Sequence, residues 1–446
     1  MNTRLLLSVL FLAALLRPGC ARAQELPRRV FVGIELQGIT DSIQRRYQLP
    51  DKNGVLVRGV RPQSSAQAAG LLPNDVVLKM GATPVGSNVG EFVGQLRQYR
   101  VGDKAPFVVL RNGRKIRKQV TFMAFPKDSS PFYEAQYSSV RYGTNQLRTI
   151  ITRPKNPARA QVPMVLFIQG VGCFSVDNPL NRADVTNRII DSLSRHGYAT
   201  MRVDKTGMGD SQGTPCPESD FQAEAGGYKA GLAAIRQLPF VDQQNIFITG
   251  FSIGGIMAPL VAQGEPVKGI VVYGTASRNF IEYQLQNARR QSELRELPFD
   301  SISSRQKVLA AALHLLLTEK QTPAQVLARY PQARELIDFP QSYRYMQQWE
   351  AANLAAAWKS LNTRVLALRG EADFISYDED HQLILDIVTK EHPGQARFVK
   401  LPNVDHFFTK ARTPQESMQL AEAPAPEKNF EFMRVILGWL AEQQKA

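Results

Sequence analysis

Apolar and polar positions along the chain change rhythm several times, and the changes divide it. Residues 5–16 are apolar apart from Ser8, a run too short to cross a bilayer. Between residues 30 and 122 short apolar runs alternate with glycines and charged turns: Val32-Gly33-Ile34, then Gly54-Val55-Leu56-Val57 with Val60, then Val76-Val77 behind Pro73-Asn74-Asp75. Residues 89–99 carry helical spacing, and Leu110-Arg111-Asn112-Gly113 reads as a turn between strands. Beyond residue 160 the apolar runs become continuous and widely spaced. They are Val165-Leu166-Phe167-Ile168, residues 199–203, Ile246-Phe247-Ile248, Ile270-Val271-Val272-Tyr273, Val365-Leu366-Ala367-Leu368 and residues 397–401, with helical stretches such as 221–238 between them. Strand-like runs alternating with helical segments predict a parallel sheet covered on both faces, its ligand at the carboxyl ends of the strands. Between residues 273 and 363 the alternation stops and helical character takes over, as in 304–317 and 323–337.

The run at 245–249 leads directly into Gly250-Phe251-Ser252-Ile253-Gly254-Gly255, which reads as strand, sharp turn and helix start with a serine at the tip. A serine there takes a strained backbone conformation that lifts its hydroxyl above the sheet, and small residues two before and two after it leave room where strand and helix nearly touch. Alone, a G-x-S-x-G pattern is also compatible with a glycine-rich turn and an incidental serine.

A serine hydroxyl needs a base to become a nucleophile. The chain has five histidines. His196 reads as a helix-end residue, His314 as a core or lid residue, His381 as part of a helix and His392 as part of a Pro/Gly turn. His406 follows the strand-like run 397–401 by a short loop and precedes Phe407-Phe408, which can pack and fix it. Just past the run 365–368 stand Glu371 and Asp373. Asp373 is the chosen acid, placed to hold the imidazole in its useful tautomer; Asp378 and Asp380 fall at a helix start, where acids favour the dipole.

Elbow, acid and histidine in this chain order, with the strand and glycine-rich loop Phe167-Ile168-Gln169-Gly170-Val171-Gly172-Cys173 and the loop Asp204-Lys205-Thr206-Gly207-Met208-Gly209-Asp210-Ser211, resemble the α/β-hydrolase superfamily over residues 132–446. The resemblance implies an α/β fold with helices on both faces of a mostly parallel sheet and a helical lid at about 278–360. It also implies an oxyanion hole from the backbone N–H groups of Ile253 and Val171. Gln169-Gly170 departs from the His-Gly pair that many members carry there. Leu313, Leu315, Leu316, Leu317, Tyr343, Tyr345 and Trp349 are candidates for an apolar pocket lining, although such residues at helical spacing more often build cores.

The earlier stretch, with Phe31-Val32-Gly33-Ile34 and Ser64-Ser65-Ala66-Gln67-Ala68-Ala69-Gly70-Leu71, resembles a PDZ domain of the bacterial protease-associated type. That implies a small β-sandwich-like domain at 30–124, with residues 125–131 as linker. Such domains bind a peptide end as an added strand, and Phe31, Val32, Gly33 and Ile34 match the carboxylate-binding loop.

Residues 1–23 combine Arg4, the apolar run and Ala21-Arg22-Ala23, the layout of a secretory signal with its cleavage site. A lipoprotein reading on Cys20 is disfavoured by Arg17 and Pro18. The expected location is periplasmic or secreted, with no membrane span. Cys173 and Cys216 remain after cleavage; both lie in loops after neighbouring strands on the active-site side, so an exported protein is expected to bridge them. The formal net charge of +14 invites a polyanion partner. The basic residues are scattered, the densest group being 111–118, and no nucleic-acid motif accompanies them.

The reading is an exported serine hydrolase cleaving a carboxylic ester through an acyl-enzyme, without metal or organic cofactor, acting on small acyl esters or peptides. A peptidase served by the PDZ domain is the first alternative. An inactive peptide-binding scaffold is the second.

Overall fold

The structure, a computed structural model, describes residues 24–445; the expected signal peptide lies outside the described residues. A smaller sheet forms first. Its strands Ile34–Gly38, Val55–Val60, Val76–Met80, Lys104–Arg111 and Arg114–Thr121 lie in that spatial order, with Thr83–Pro84 pairing beside Val76–Met80. Helix Val89–Leu96 is started by the Asn88 side chain, which accepts the N–H of Glu91. The helix buries Phe92 against Val55, Val77, Phe107 and Val120, a closed apolar core. The ribbon of Val30–Phe31 against Met123–Ala124 brings the two ends of this unit together.

The larger sheet has eight strands: β1 Tyr133–Tyr142, β2 Asn145–Pro154, β3 Val162–Ile168, β4 Ala199–Val203, β5 Val241–Phe251, β6 Gly269–Tyr273, β7 Arg364–Gly370 and β8 Ala396–Leu401. Their spatial order is β1-β2-β4-β3-β5-β6-β7-β8, with β1 and β2 antiparallel to their neighbours and the rest parallel. The central strands β3, β6 and β7 are apolar on both sides because both faces are covered there. One face packs on Phe221–Ile235, Ile253–Ala262 and Asp378–Glu391, the other on Val185–Arg195 and Glu431–Lys445. This is the α/β-hydrolase fold.

Helices Phe280–Leu294, Phe299–Leu313, Pro323–Arg329, Tyr343–Ala351 and Leu354–Lys359 fill the interval between β6 and β7. The helix expected over 323–337 stops at Arg329, because Pro331 has no N–H to give and forces Tyr330 out of the helical region, to φ −128° and ψ 73°. Of the lid residues that were pocket-lining candidates, Leu313, Leu315, Leu316, Leu317 and Tyr345 are core, each 5% exposed or less. Residues 314–318 form a single π-helical turn whose leucines pack among the neighbouring lid helices Pro323–Arg329 and Tyr343–Ala351. No helix among the described residues is long and apolar enough to cross a membrane.

The N-terminal segment is stitched to the larger unit by buried charge. Arg28 reaches Asp210 and, at 3.4 Å, Asp177, while Arg148 reaches Asp204, Asp210 at 2.8 Å and Asp177 at 2.9 Å. Asp128 accepts from Arg202 and Arg182, both at 2.7 Å, and from the Tyr133 hydroxyl at 2.8 Å. Residues 125–131 therefore lie against the larger unit rather than spanning free space.

Candidate active site

β5 ends at Phe251 and the helix Ile253–Ala262 starts at once, leaving Ser252 alone in the turn with φ 54° and ψ −123°. This left-handed conformation is costly for a non-glycine residue, of order 1–3 kcal/mol, and persists only where its surroundings enforce it. The enforcement is steric closeness. A Cβ at Gly250 would come 2.3 Å from the Gly254 carbonyl oxygen, and one at Gly254 would come 2.4 Å from that of Ile168. Only glycines let strand and helix approach so closely.

Ser252 Oγ lies 3.0 Å from His406 Nε2, and His406 Nδ1 lies 2.9 Å from Asp373 Oδ2. The three residues come from the ends of β5, β7 and β8. Asp373 is 1% exposed, and its other hydrogen bonds fix both oxygens: Oδ1 accepts the N–H groups of Ile375 at 2.7 Å and Ser376 at 2.9 Å, and Oδ2 accepts the Ser376 hydroxyl at 2.6 Å. Burial alone would raise this carboxyl, yet the His406 charge and the donated hydrogen bonds hold it below the usual range. His406 shows the complementary balance. Burial pulls it down, and Asp373 beside it raises it above an ordinary histidine. An imidazole oriented by a carboxylate and touching a hydroxyl can take that hydroxyl's proton.

The loop carrying His406 is shaped by Asp405, which the sequence reading passed over. Its carboxylate accepts the N–H groups of Phe407 at 2.9 Å and Thr409 at 2.6 Å, and the Ser417 hydroxyl at 2.7 Å. Phe408 packs into Phe251, Tyr273 and Phe432. Phe407 stays 45% exposed beside the site.

Opposite Ser252 runs the loop after β3. Gly170 and Val171 line the same cavity as Ser252 and Ile253. The Gly170 carbonyl accepts from Lys205 Nζ at 2.8 Å, and Lys205 is paired with Glu224 at 2.9 Å, both side chains buried. Because the Gly170 C=O and the Val171 N–H belong to one rigid peptide plane, Lys205 fixes the direction of the Val171 N–H. Cys173 in this loop is bridged to Cys216.

The other histidines stand apart. His196 and His392 end helices, and His314 is exposed beside Glu319. His381 is buried and engaged with the Tyr377 carbonyl and the Thr275 N–H, and burial lowers its pKa. Asp380 is not a simple helix-start acid, since it is buried and accepts from Ser277 and Arg278. In the smaller unit Phe31 and Val32 are 8% and 4% exposed. The Gly33 carbonyl accepts from Arg61, and Gly33 sits at φ 71°. Strand Ile34–Gly38 is an edge of its sheet.

The cavity over Ser252 measures about 500 Å³. Trp349, expected there, lines it together with Tyr283 and Phe339, which were not foreseen; Tyr343 does not.

Residues 143–384 match the family described as X-Pro dipeptidyl-peptidase (S15 family), and residues 30–121 match the PDZ domain family. A probable periplasmic serine endoprotease, DegP-like, from Marinomonas sp. is 27% identical over 115 residues, covering 26% of this chain and 24% of that protein. A thiohydrolase from Eupenicillium brefeldianum is 26% identical over 102 residues, covering 23% of this chain and 31% of that protein. These matches thus span a quarter to a third of the relatives' own length. Est1E from Butyrivibrio proteoclasticus, solved with ferulic acid, covers 69% of this chain and 99% of its own at 16% identity and a TM-score of 0.45.

Proposed function

From a chain that belongs to the S15 family of X-Pro dipeptidyl-peptidases, we propose an exported serine hydrolase that cleaves a carboxylic ester through an acyl-enzyme. The observation that carries this reading is the continuous line from Ser252 Oγ through His406 to Asp373, at 3.0 and 2.9 Å. Ser252 attacks the acyl carbon while His406 Nε2 takes its proton. Asp373 keeps the Nδ1–H pointed at itself and stabilises the imidazolium. The N–H groups of Ile253 and Val171 receive the negative charge of the tetrahedral oxygen. Collapse breaks the bond to the leaving oxygen, which takes the proton from His406. Water, activated by the same histidine, then attacks the acyl-enzyme and releases the acid.

The family's name favours a second reading, a peptidase releasing dipeptides, with the PDZ-like unit presenting peptide ends along strand Ile34–Gly38 and the loop Phe31, Val32, Gly33 and Ile34. The ester reading is preferred because, among the described residues, no Asp or Glu that could hold a peptide's terminal ammonium lines the cavity over Ser252. Turnover of a p-nitrophenyl acyl ester compared with an aminoacyl-prolyl nitroanilide separates the two. Ester turnover at least a hundredfold faster in kcat/KM is expected; faster release from the prolyl amide would reverse the choice. Export is supported by the signal-like residues 1–23 and by the Cys173–Cys216 bridge.

A further inference from the structure

The cavity wall over Ser252 is mostly apolar, and its charged side chains are few. Among the described residues, Lys428 is the only basic residue in it apart from His406, and no acid lines it. Lys428 sits opposite Thr409 in a short antiparallel bridge, next to the loop that carries His406. Its Nζ donates to the Phe407 carbonyl at 3.2 Å and to the Thr409 hydroxyl at 3.0 Å. Both acceptors are neutral, and an ammonium has three N–H donors, so one remains for a ligand.

Among the described residues no carboxylate lies within ion-pair distance of Lys428, whereas its neighbours are paired: Lys410 with Glu427 at 3.1 Å and Arg412 with Glu416 at 3.2 Å. Asp405, whose charge Lys428 feels, spends its oxygens on Phe407, Thr409 and Ser417. Burial lowers the Lys428 pKa, and the charge of Asp405 only partly opposes this. A half-buried charge in an apolar wall is costly unless something completes it. Phe407 and Phe174, 45% and 48% exposed, flank the same cavity and offer an apolar path beside the cation.

We propose that Lys428 is a subsite for a substrate carboxylate, so that the preferred substrates are apolar esters whose acyl chain ends in an anionic carboxylate. This rests on the serine hydrolase reading for the reaction, but its binding chemistry stands apart from it. The apolar chain would lie along the aromatic rim, and the distal carboxylate would accept the free Lys428 N–H as a charge-assisted hydrogen bond. A dipeptide bringing a free ammonium meets the opposite of what it needs here.

The test uses the full chain carrying Ser252→Ala, so that ligands bind without turnover. Calorimetry compares monomethyl esters of linear dicarboxylic acids, from succinate to sebacate, with the matching methyl ester amides. At the best chain length the acid should bind about tenfold more tightly than its amide. Lys428→Met in the same background should abolish that preference and Lys428→Glu should reverse it, while Lys428→Arg, which keeps the cation, should retain it. No preference at any length, or one that survives Lys428→Met, overturns the proposal. Fluorophosphonate labelling of the unmutated protein keeps the two readings apart. Labelling of Ser252 without a carboxylate preference removes the subsite alone, and a preference without labelling removes the hydrolase reading alone.

Discussion

Replacing both Cys173 and Cys216 by alanine should destabilise the larger unit by an amount that follows from the chain path. The bridge spans a sequence separation of 43 residues, and closing a loop of that size removes unfolded-state entropy worth about 4 kcal/mol at room temperature. The enclosed segment contains helix Val185–Arg195, β4 and Asp204, and one end of the bridge lies in the loop that carries Val171. Two consequences follow, a large loss of stability and a looser oxyanion loop. The chain's three tryptophans, Trp349, Trp358 and Trp439, all fall in the larger unit. Urea unfolding followed by tryptophan fluorescence therefore reports that unit without interference from the smaller one. The double mutant should lose about 4 kcal/mol and show a lower kcat with a smaller change in KM. A loss under about 1 kcal/mol, or free thiols in oxidised protein, would refute the loop-closure reasoning.

Activity should rise with pH as His406 loses its proton, with a kcat/KM midpoint above the ordinary histidine value of about 6.5, because Asp373 raises His406 despite its burial. Asp373→Asn should move that midpoint down and cut kcat by roughly three to four orders of magnitude; a pH profile unchanged by the mutation would contradict the assignment. Lys205→Met combined with Glu224→Gln, which avoids an unpaired buried acid, should lower kcat about tenfold with little change in KM if the pair aims the Val171 N–H at the oxyanion. Equal loss in KM and kcat would assign the pair a general structural role instead. Arg28→Met strips one cation from the cluster with Asp177 and Asp210 and should cost about 3–5 kcal/mol in chemical denaturation, the range for breaking a buried pair. A chain starting at residue 128 should show the same loss, and stability equal to the full chain would remove the N-terminal segment from the account.

The grouping of the candidate residues was legible where it depended on chain order and strand ends. Ser252, Asp373 and His406 each follow a strand-like run, and a parallel sheet brings such ends to one edge. Cys173 and Cys216 followed from the same logic. What stayed hidden depended on side chains meeting across the fold. Arg28 and its acids are separated by 149 and 182 residues, and nothing local marks them as partners. Lys205 was visible as part of a glycine-rich loop, but its hold on Gly170 needs the β3 and β4 ends side by side. In the lid, helical spacing identified apolar residues without telling which face meets the core and which meets the cavity. Tyr283 and Phe339 were therefore missed, and Trp349 could not be told from Leu315, Leu316 and Leu317, which are core. The early end of the helix at Arg329 was readable from Pro331 and was overlooked.

The central claim is that Ser252 is the acylated nucleophile, and covalent labelling tests it most directly. The mature protein is treated with a fluorophosphonate, digested and analysed by mass spectrometry, alongside Ser252→Ala and His406→Ala. The account predicts a single adduct on the peptide containing Ser252, none in Ser252→Ala, and labelling slowed by several orders of magnitude in His406→Ala, since the serine is a weak nucleophile without its base. An adduct on another serine, or no adduct in folded protein that hydrolyses esters, would contradict it.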